Sequence, residues 1–570
     1  MVSTLVAALA AAHVAACPTP TFVPHDGALR LSSTDVASAG DGPALKRSFT
    51  TSLPFRGQFG MGFGIEEELR VEPLAGGALR VTVPGPCPAC AAAIPEASPD
   101  TLAEGVRAAA RTLVASGASA LADEAAAYSA ALDRDPAYRQ AEWSARRDAW
   151  LRAAREEPAD KLERLPVAAR FRVVRLSSGY LRYADGAEVQ ELDREGRLLR
   201  VVNAGGLVRD VQRDAAGRIV RVADAQGRGF TLELDGSGRV ARAVGSDGTV
   251  VRYGYDAAGR LSWTEDRDGR TELGWDEAGR VVRLACGERV VAATYETAAE
   301  GGRVVSLRDS DGVRERYLYQ GSAGGLFRAV NVLALPDGAE PSTAPGDVAR
   351  PVALDEPREL RRYTFVEPMT SDGRRWTWQA TEEEAGDAKV TIYDDRTFQP
   401  VSVAASDRVA RFEYDGLGRL VRKEVEGEIT SLSYGPEGKI AHLERHAPAA
   451  EGGSASLDLR YAYDAHAHLL RAEGGQDAAR LTYDERGRIT TIVATSDGTE
   501  RKVALTYAKG DRPIRIEVQG VGAVVVEYDE HGEVSKVDAS EGRKASLEVT
   551  LAFQTLLDLV RPASVKMDVW

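Results

Sequence analysis

One phrase returns through this chain about every 20 residues, and it constrains the fold more than any other feature. Its clearest copy is Tyr255-Asp256-Ala257-Ala258-Gly259-Arg260-Leu261. Trp275-Asp276-Glu277-Ala278-Gly279-Arg280-Val281, Tyr414-Asp415-Gly416-Leu417-Gly418-Arg419-Leu420 and Tyr483-Asp484-Glu485-Arg486-Gly487-Arg488-Ile489 restate it. Self-similarity at this period means an array of one supersecondary unit. It also gives the commonest motif in the chain to architecture before any chemistry is considered.

The phrase is a hairpin turn. An aromatic residue ends one strand, and Asp opens the turn, where its carboxylate accepts hydrogen bonds from nearby backbone. Gly three residues later takes the last turn position, where positive φ costs little. The pattern fits a type I turn with a glycine bulge. The turn residues are Asp214 and Gly217, Asp235 and Gly238, Asp256 and Gly259, Asp276 and Gly279, Asp415 and Gly418, Asp484 and Gly487, and Asp529 and Gly532. Gly196, Gly217, Gly238, Gly259 and Gly279 stand 21, 21, 21 and 20 residues apart. The flanks alternate as half-buried strands do. Val251, Tyr253 and Tyr255 share one face, and after the turn Leu261 and Trp263 are expected to share one. A second turn at Asp266 to Gly269 sends the chain back, so each repeat is two strands of roughly 20 Å.

A second set of residues lies upstream. Asp26-Gly27-Ala28-Leu29-Arg30-Leu31 is followed by Gly42-Pro43-Ala44-Leu45-Lys46-Arg47-Ser48-Phe49 and then Gly57-Gln58-Phe59-Gly60-Met61-Gly62-Phe63. With the repeated phrase, these residues resemble the RHS / YD-repeat family, which includes bacterial polymorphic toxins, the cocoon subunits of insecticidal toxin complexes, and the teneurins. The resemblance covers roughly 26–85 and 175–540. It implies a mainly β fold of spiralling antiparallel hairpins, a YD-shell that encloses a polypeptide. The Pro-x-x-x-x-Asp-Pro-x-Gly type of self-cleavage motif found in toxin-bearing members is absent. The repeats are few for a sealed shell, so an open or partly closed one is expected as readily.

The chain divides into an expected signal or lipoprotein segment (1–17), a β lead-in segment (18–95), a helical insertion (96–166), a first repeat block (167–294), irregular repeats with a Pro- and Gly-rich loop (295–390), a second block (391–544) and a C-terminal helix and tail (545–570). In the insertion, Ser98-Pro99 supplies an N-cap and an N1 proline. Leu102, Val106, Ala109 and Leu113 follow at helical spacing, with further helices expected near 118–132 and 136–157. At the C-terminus, Val549, Phe553, Leu556, Leu557 and Val560 form one expected helical face, poised to close an open end or to fold inward.

Residues 1–17 are an apolar run ending in small residues, similar to a secretion signal. Val14-Ala15-Ala16-Cys17 resembles a bacterial lipobox, which implies lipidation at Cys17. No Lys or Arg precedes the apolar run. The expected location is the cell envelope, as an outer-membrane or surface lipoprotein or a secreted protein, with membrane contact only through that anchor. In an exported protein, Cys87 and Cys90 read as a local disulfide. Pairing that involves Cys286, half of a zinc site and a redox pair are the alternatives. The net charge of −14 disfavours a nucleic-acid partner.

No P-loop, G-x-S-x-G or H-E-x-x-H is present. His442 with His446, and His466 with His468, lie in neighbouring repeats, and a metal site there is an alternative. However, His466 and His468 occupy a degenerate turn, where exposure is the default. Tyr253, Tyr255, Trp263 and Trp275 read as cross-strand packing rather than a sugar-stacking face. The chain therefore reads as a non-enzymatic exported scaffold with no catalytic residue, no cofactor and no metal. Its partner is a polypeptide cargo or a surface partner of unknown identity. A surface adhesin or carbohydrate-binding protein, and a toxin-less RHS accessory of a polymorphic toxin system, are the alternatives.

Overall fold

The computed structural model describes residues 18–563 except 19, 38–41, 52–54, 85–94, 97, 118, 120, 157–170, 185–187, 204–207, 298–301, 311–313, 322–326, 335–358, 369–376, 395–398, 416–417, 436–438, 448–455, 465–467, 486, 509–512, 529–533 and 539–542. The expected signal segment and the Pro- and Gly-rich loop lie outside the described residues.

The repeats build one antiparallel ladder of 32 strands. Each strand pairs with its neighbours in sequence, because every connection is a hairpin. The first strand, Phe171–Arg175, pairs with Tyr180–Ala184, and the last, Val534–Asp538, pairs with Gly522–Tyr528. No register joins the first to the last among the described residues, so the ladder is a ribbon with two ends rather than a closed barrel.

The register shifts where each phrase ends a strand, as between Gly254 and Tyr255, Gly274 and Trp275, and Thr482 and Tyr483. In the first case Tyr255 pairs with Leu261 and Gly254 with Trp263, which leaves Ser262 as the extra residue. A bulge of this kind moves every later side chain to the other face. Leu261 is buried in the core with Tyr253, whereas Trp263 turns to the opposite face and lies over Gly254. A Cβ on Gly254 would sit 2.0 Å from the indole nitrogen. The expectation that Leu261 and Trp263 share a face is thus corrected by the bulge between them.

One face of the ladder, here the core face, is covered by the chain's own ends. Strands β1 (Thr21–Val23), β2 (Ala28–Val36), β3 (Leu45–Thr50) and, after the hairpin of β4 (Arg56–Gly57) and β5 (Gly60–Met61), β6 (Phe63–Ile65) contain the lead-in sheet, ordered β1-β2-β3-β6. Leu29, Leu31, Leu45, Phe49, Phe63 and Ile65 pack there against Val222, Leu232, Ala243, Val251, Leu273 and Leu284 of the first block. Phe49 meets Trp275 edge-on at 5.6 Å, and Phe22 stacks on Tyr317 at 3.8 Å. Each such Leu or Phe contributes roughly 1.5–3 kcal/mol by leaving water.

Three helices, α1 (Pro99–Ser116), α2 (Ala122–Arg134) and α3 (Pro136–Glu156), make up the insertion. Ser98 and Thr101 exchange capping hydrogen bonds at the start of α1, and Gly117 ends it at φ 71. Leu102, Val106 and Leu113 pack on Val174, Leu181, Val189 and Val202, which point away from the core face. The first ladder strands are therefore covered on both sides. In the second block the core face is covered by α4 (Arg543–Val560). Val549, Ala552 and Phe553 pack on Leu481, Ile492, Val503, Leu505 and Ile516. Leu559 is buried in place of Leu557, which is 42% exposed.

Candidate functional site: the core face and its clamps

Most of the described YD turns are clamped by their own Asp and Arg. Asp256 Oδ1 accepts from the backbone N–H groups of Ala258 and Arg260, at 3.0 and 2.8 Å. Its Oδ2 accepts from Arg260 Nε at 2.7 Å. Gly259, at φ 79, donates its N–H to the Asp256 carbonyl. The same Asp–Arg pair recurs at Asp214–Arg218, Asp235–Arg239, Asp276–Arg280, Asp415–Arg419 and Asp484–Arg488. Burial raises the Asp256 carboxyl, but the Arg260 backbone and guanidinium overcome that and hold it below the usual carboxylate range. At Asp214 the Arg218 side chain is the largest influence, in the same downward direction.

The phrase also ties each turn to the next. Arg260 Nη1 donates to the Asp276 carbonyl at 2.8 Å, and Arg280 Nη1 to that of Glu296 at 2.7 Å. The guanidinium lies over the next aromatic ring, with Arg280 over Tyr295 at 4.6 Å and Arg488 over Tyr507 at 4.6 Å. That aromatic residue reaches back in turn. Tyr255, Tyr295, Tyr434 and Tyr483 donate their hydroxyls to the carbonyls of Val240, Val281, Leu420 and Leu469, and Trp275 Nε1 donates to Leu261. These carbonyls begin the strand after each bulge. The sequence reading named Asp and Gly; it missed that Arg and the aromatic act across repeats, although both stand in every quoted copy.

His468 takes the arginine's place in one turn. Its N–H donates to Asp464 Oδ1 at 2.9 Å, its Nδ1 is 3.0 Å from Oδ2, and its ring stacks on Tyr483 at 4.7 Å. Its side chain is only 11% exposed, which corrects the expected exposure of this degenerate turn.

Buried polar ties fix the lead-in sheet to the core face. Asp35 accepts from Arg47 Nε and from the Tyr253 hydroxyl, both at 2.8 Å. Burial would lower Arg47, but the Asp35 charge keeps it above its ordinary value. Gln58 imitates a strand: its Nε2 donates to the Ile219 carbonyl at 3.0 Å, and its Oε1 accepts from the Ile219 N–H at 2.7 Å. Glu68 accepts from the backbone N–H groups of Gln58 and Ile65, and burial pushes its carboxyl up to about 7. Further along, Glu367 accepts from Arg328 Nε and Nη2 at 3.0 and 2.7 Å, and His25 Nε2 lies 3.0 Å from Glu367 Oε1.

Between the two covers lies a different stretch. Strands Glu359–Val366, Gln379–Glu384 and Asp387–Tyr393 bury only Phe365. The pairing registers place Arg361, Tyr363, Glu382, Lys389, Thr391 and Tyr393 on the core face here. Beyond Phe365, which His25 of the lead-in segment meets edge-on at 5.1 Å, apolar packing gives way to mixed charge.

The remaining sequence candidates are scattered. Cys17, Cys87, Cys90, Asp529, Gly532, His466 and His531 lie outside the described residues. Cys286 ends a core-facing strand and is disulfide-bonded. His442 pairs with Asp458 at 3.0 Å and His446 with Glu444 at 2.9 Å, each separately on the strand Ile440–His446. Among the described residues, no three His, Cys, Asp or Glu side chains gather as a metal site. Tyr253 is buried, and Tyr255 and Trp275 spend their polar atoms on backbone, so these rings do not form an exposed row. No described helix is long and apolar enough to cross a membrane.

Residues 405–566 match the teneurin YD-shell family, and residues 193–228 and 235–265 match the RHS repeat family. No curated protein matches the chain. Among solved structures, the chain is similar to that of TcdB2-TccC3-TEV, at 15% identity and a TM-score of 0.36, over 64% of this chain and 23% of that one. It is also similar to TcdB2-TccC3 without its hypervariable C-terminal region, at 14% identity and a TM-score of 0.34, over 65% and 25%. A porin-like protein from Bacteroides uniformis is 11% identical over 39% and 90% of the two chains, with a TM-score of 0.16. The chain spans about a quarter of the length of the two TcdB2-TccC3 chains. By the repeated phrase, the ladder that phrase builds and the two family matches, residues 193–228, 235–265 and 405–566 are RHS / YD-repeat sequence.

Proposed function

We propose that this chain is a non-enzymatic scaffold that holds a partner polypeptide against the charged stretch of its core face. The observation that carries the reading is the change in that face. It is apolar where the lead-in sheet and α4 pack on it, and it carries Arg361, Glu382, Lys389 and Thr391 on the strands where, among the described residues, neither packs. A mixed-charge strip beside apolar shoulders suits a peptide, which brings both backbone polar groups and varied side chains. The teneurin YD-shell match over 405–566 supports a body built as a shell. Its clamps spend the conspicuous titratable side chains on joining repeats, which supports a structural rather than a catalytic use of them.

The same reading places the protein outside the reducing cytosol, in the cell envelope. The disulfide at Cys286 supports this, since such bonds persist in oxidising compartments. Affinity purification from the native envelope, with limited proteolysis before mass spectrometry, tests both parts. A second polypeptide that resists protease only in company with this chain is the expected result. A lone resistant chain, or recovery of the protein from the cytosol, overturns the reading.

A further inference from the structure

On the outer face of the ladder, opposite the core face, basic side chains meet carboxylates on the neighbouring strand. Arg200 lies directly opposite Asp210, Arg242 opposite Glu233, Arg270 opposite Glu265, Arg422 opposite Glu413 and Lys536 opposite Glu527, and each of these is an ion pair. Like charges in such positions destabilise a sheet. Where arginine does oppose arginine, an acid stands beside the two. Arg242 opposes Arg252, with Glu233 and Glu265 on their far sides, and Arg471, which opposes Arg480, pairs with Glu473.

The strands Val304–Asp309 and Arg314–Gly321 depart from this rule. Leu307 and Tyr317 are buried in the core, so Arg308, Arg314 and Arg316 point outward. Arg308 lies directly opposite Arg314, and Ala292 is on its far side. Arg316 is diagonal to Arg308, and its own opposite neighbours are Ser306 and Leu333. No carboxylate stands directly opposite Arg308 or Arg316. Both are half-buried, and the Nε–H of Arg308 is buried and, among the described residues, donates to no acceptor. Opposed side chains in a sheet stand about 4.5–5.5 Å apart at Cβ, and diagonal ones about 7–8 Å. Guanidinium groups on stems this close can converge on one ligand.

A guanidinium fork matches the paired oxygens of a carboxylate or a phosphate. A carboxylate has two oxygens and one charge, enough for one fork. Three forks call for more oxygens and a second charge, which a phosphate group supplies. We propose that Arg308, Arg314 and Arg316 form a binding site for a phosphate group on the outer face of the ladder. The anion takes the place that a Glu or Asp side chain fills elsewhere on that face, and it relieves the repulsion between Arg308 and Arg314. It arrives as free phosphate or as the terminal phosphate of a lipid headgroup. The site faces away from the charged stretch of the core face, so it stands whether or not that stretch holds a polypeptide.

The full-length protein is dialysed to equilibrium against radiolabelled inorganic phosphate, and sedimented with phosphatidylcholine vesicles that contain or lack phosphatidic acid. Its melting temperature is followed in phosphate and in sodium chloride of equal ionic strength. Saturable phosphate binding and a higher melting temperature in phosphate than in chloride are expected. Arg308→Gln and Arg316→Gln are each expected to weaken binding about tenfold or more and to abolish the difference in melting temperature. Arg242→Gln, which removes an arginine already paired with Glu233, is expected to change neither. In chloride, Arg308→Gln is expected to melt no lower than the wild type, since it removes a like-charge contact. Binding to phosphatidic acid vesicles alone, lost in Arg308→Gln, assigns the same site to a lipid phosphate. Binding of neither probe, or binding that Arg308→Gln and Arg316→Gln leave intact, overturns the proposal.

Discussion

At the scale of single residues, the repeat phrase is a clamp with four parts. Asp closes the turn, Gly permits its geometry, Arg reaches forward and the aromatic reaches back. Arg488→Met removes the charged bond to Asp484 and the cover over Tyr507. It is expected to cost about 1–3 kcal/mol, seen as faster amide exchange in residues 489–507 than elsewhere. Asp and Gly were legible in the sequence because each acts within one copy. The forward and backward contacts were not, since they join copies about 20 residues apart. Titration separates two sets of carboxyls. Burial raises Glu68 and Glu191 to about 7 from an ordinary 4.5, so between those values the folded chain keeps protons that the unfolded chain has released. Stability therefore rises as pH falls through that window. Asp214, Asp235 and Asp256 are held below 3.8, so their support is lost only under more acid conditions. The melting temperature is expected to peak near pH 5, and Glu68→Gln to flatten the slope between pH 5 and 7. A maximum at pH 7 or above contradicts this.

At the scale of elements, two covers hold the ladder's apolar face, and each has a critical contact. Asp35→Ala leaves the Arg47 charge buried and unpaired beneath Tyr253. A loss of about 3–5 kcal/mol is expected, read from the urea midpoint. The double variant Asp35→Ala/Arg47→Met is expected to recover part of it. On the other cover, Phe553→Ala empties a site against the second block. A cost of about 3–5 kcal/mol is expected, with faster exchange confined to residues 481–518. The helical face of the C-terminal segment was legible from spacing, but its register was not resolved. Leu557 and Leu559 are equally apolar, and only the packing of Leu559 beside Tyr461 distinguishes them. The facing of Trp263 was misread because a period-2 pattern has no sign for a bulge.

At the scale of the whole molecule, the fold class followed from the phrase, since a tight hairpin every ten residues or so leaves little but an antiparallel ribbon. The covering of its core face did not follow. His25 and Glu367 meet across 342 residues, and Gln58 and Ile219 across 161. No local pattern encodes such contacts. The chain emerges as a ladder that fills much of its core face with its own flanking segments and, among the described residues, carries a charged stretch between them. That stretch is the central claim, and photo-crosslinking tests it most directly. A benzophenone amino acid is placed at Thr391 on the core face, or at Ile392 on the opposite face, and the protein is irradiated in its native cells. The account predicts an adduct with one discrete polypeptide from position 391 and none from position 392. Equal adducts from both positions, or an adduct from 392 alone, would contradict it.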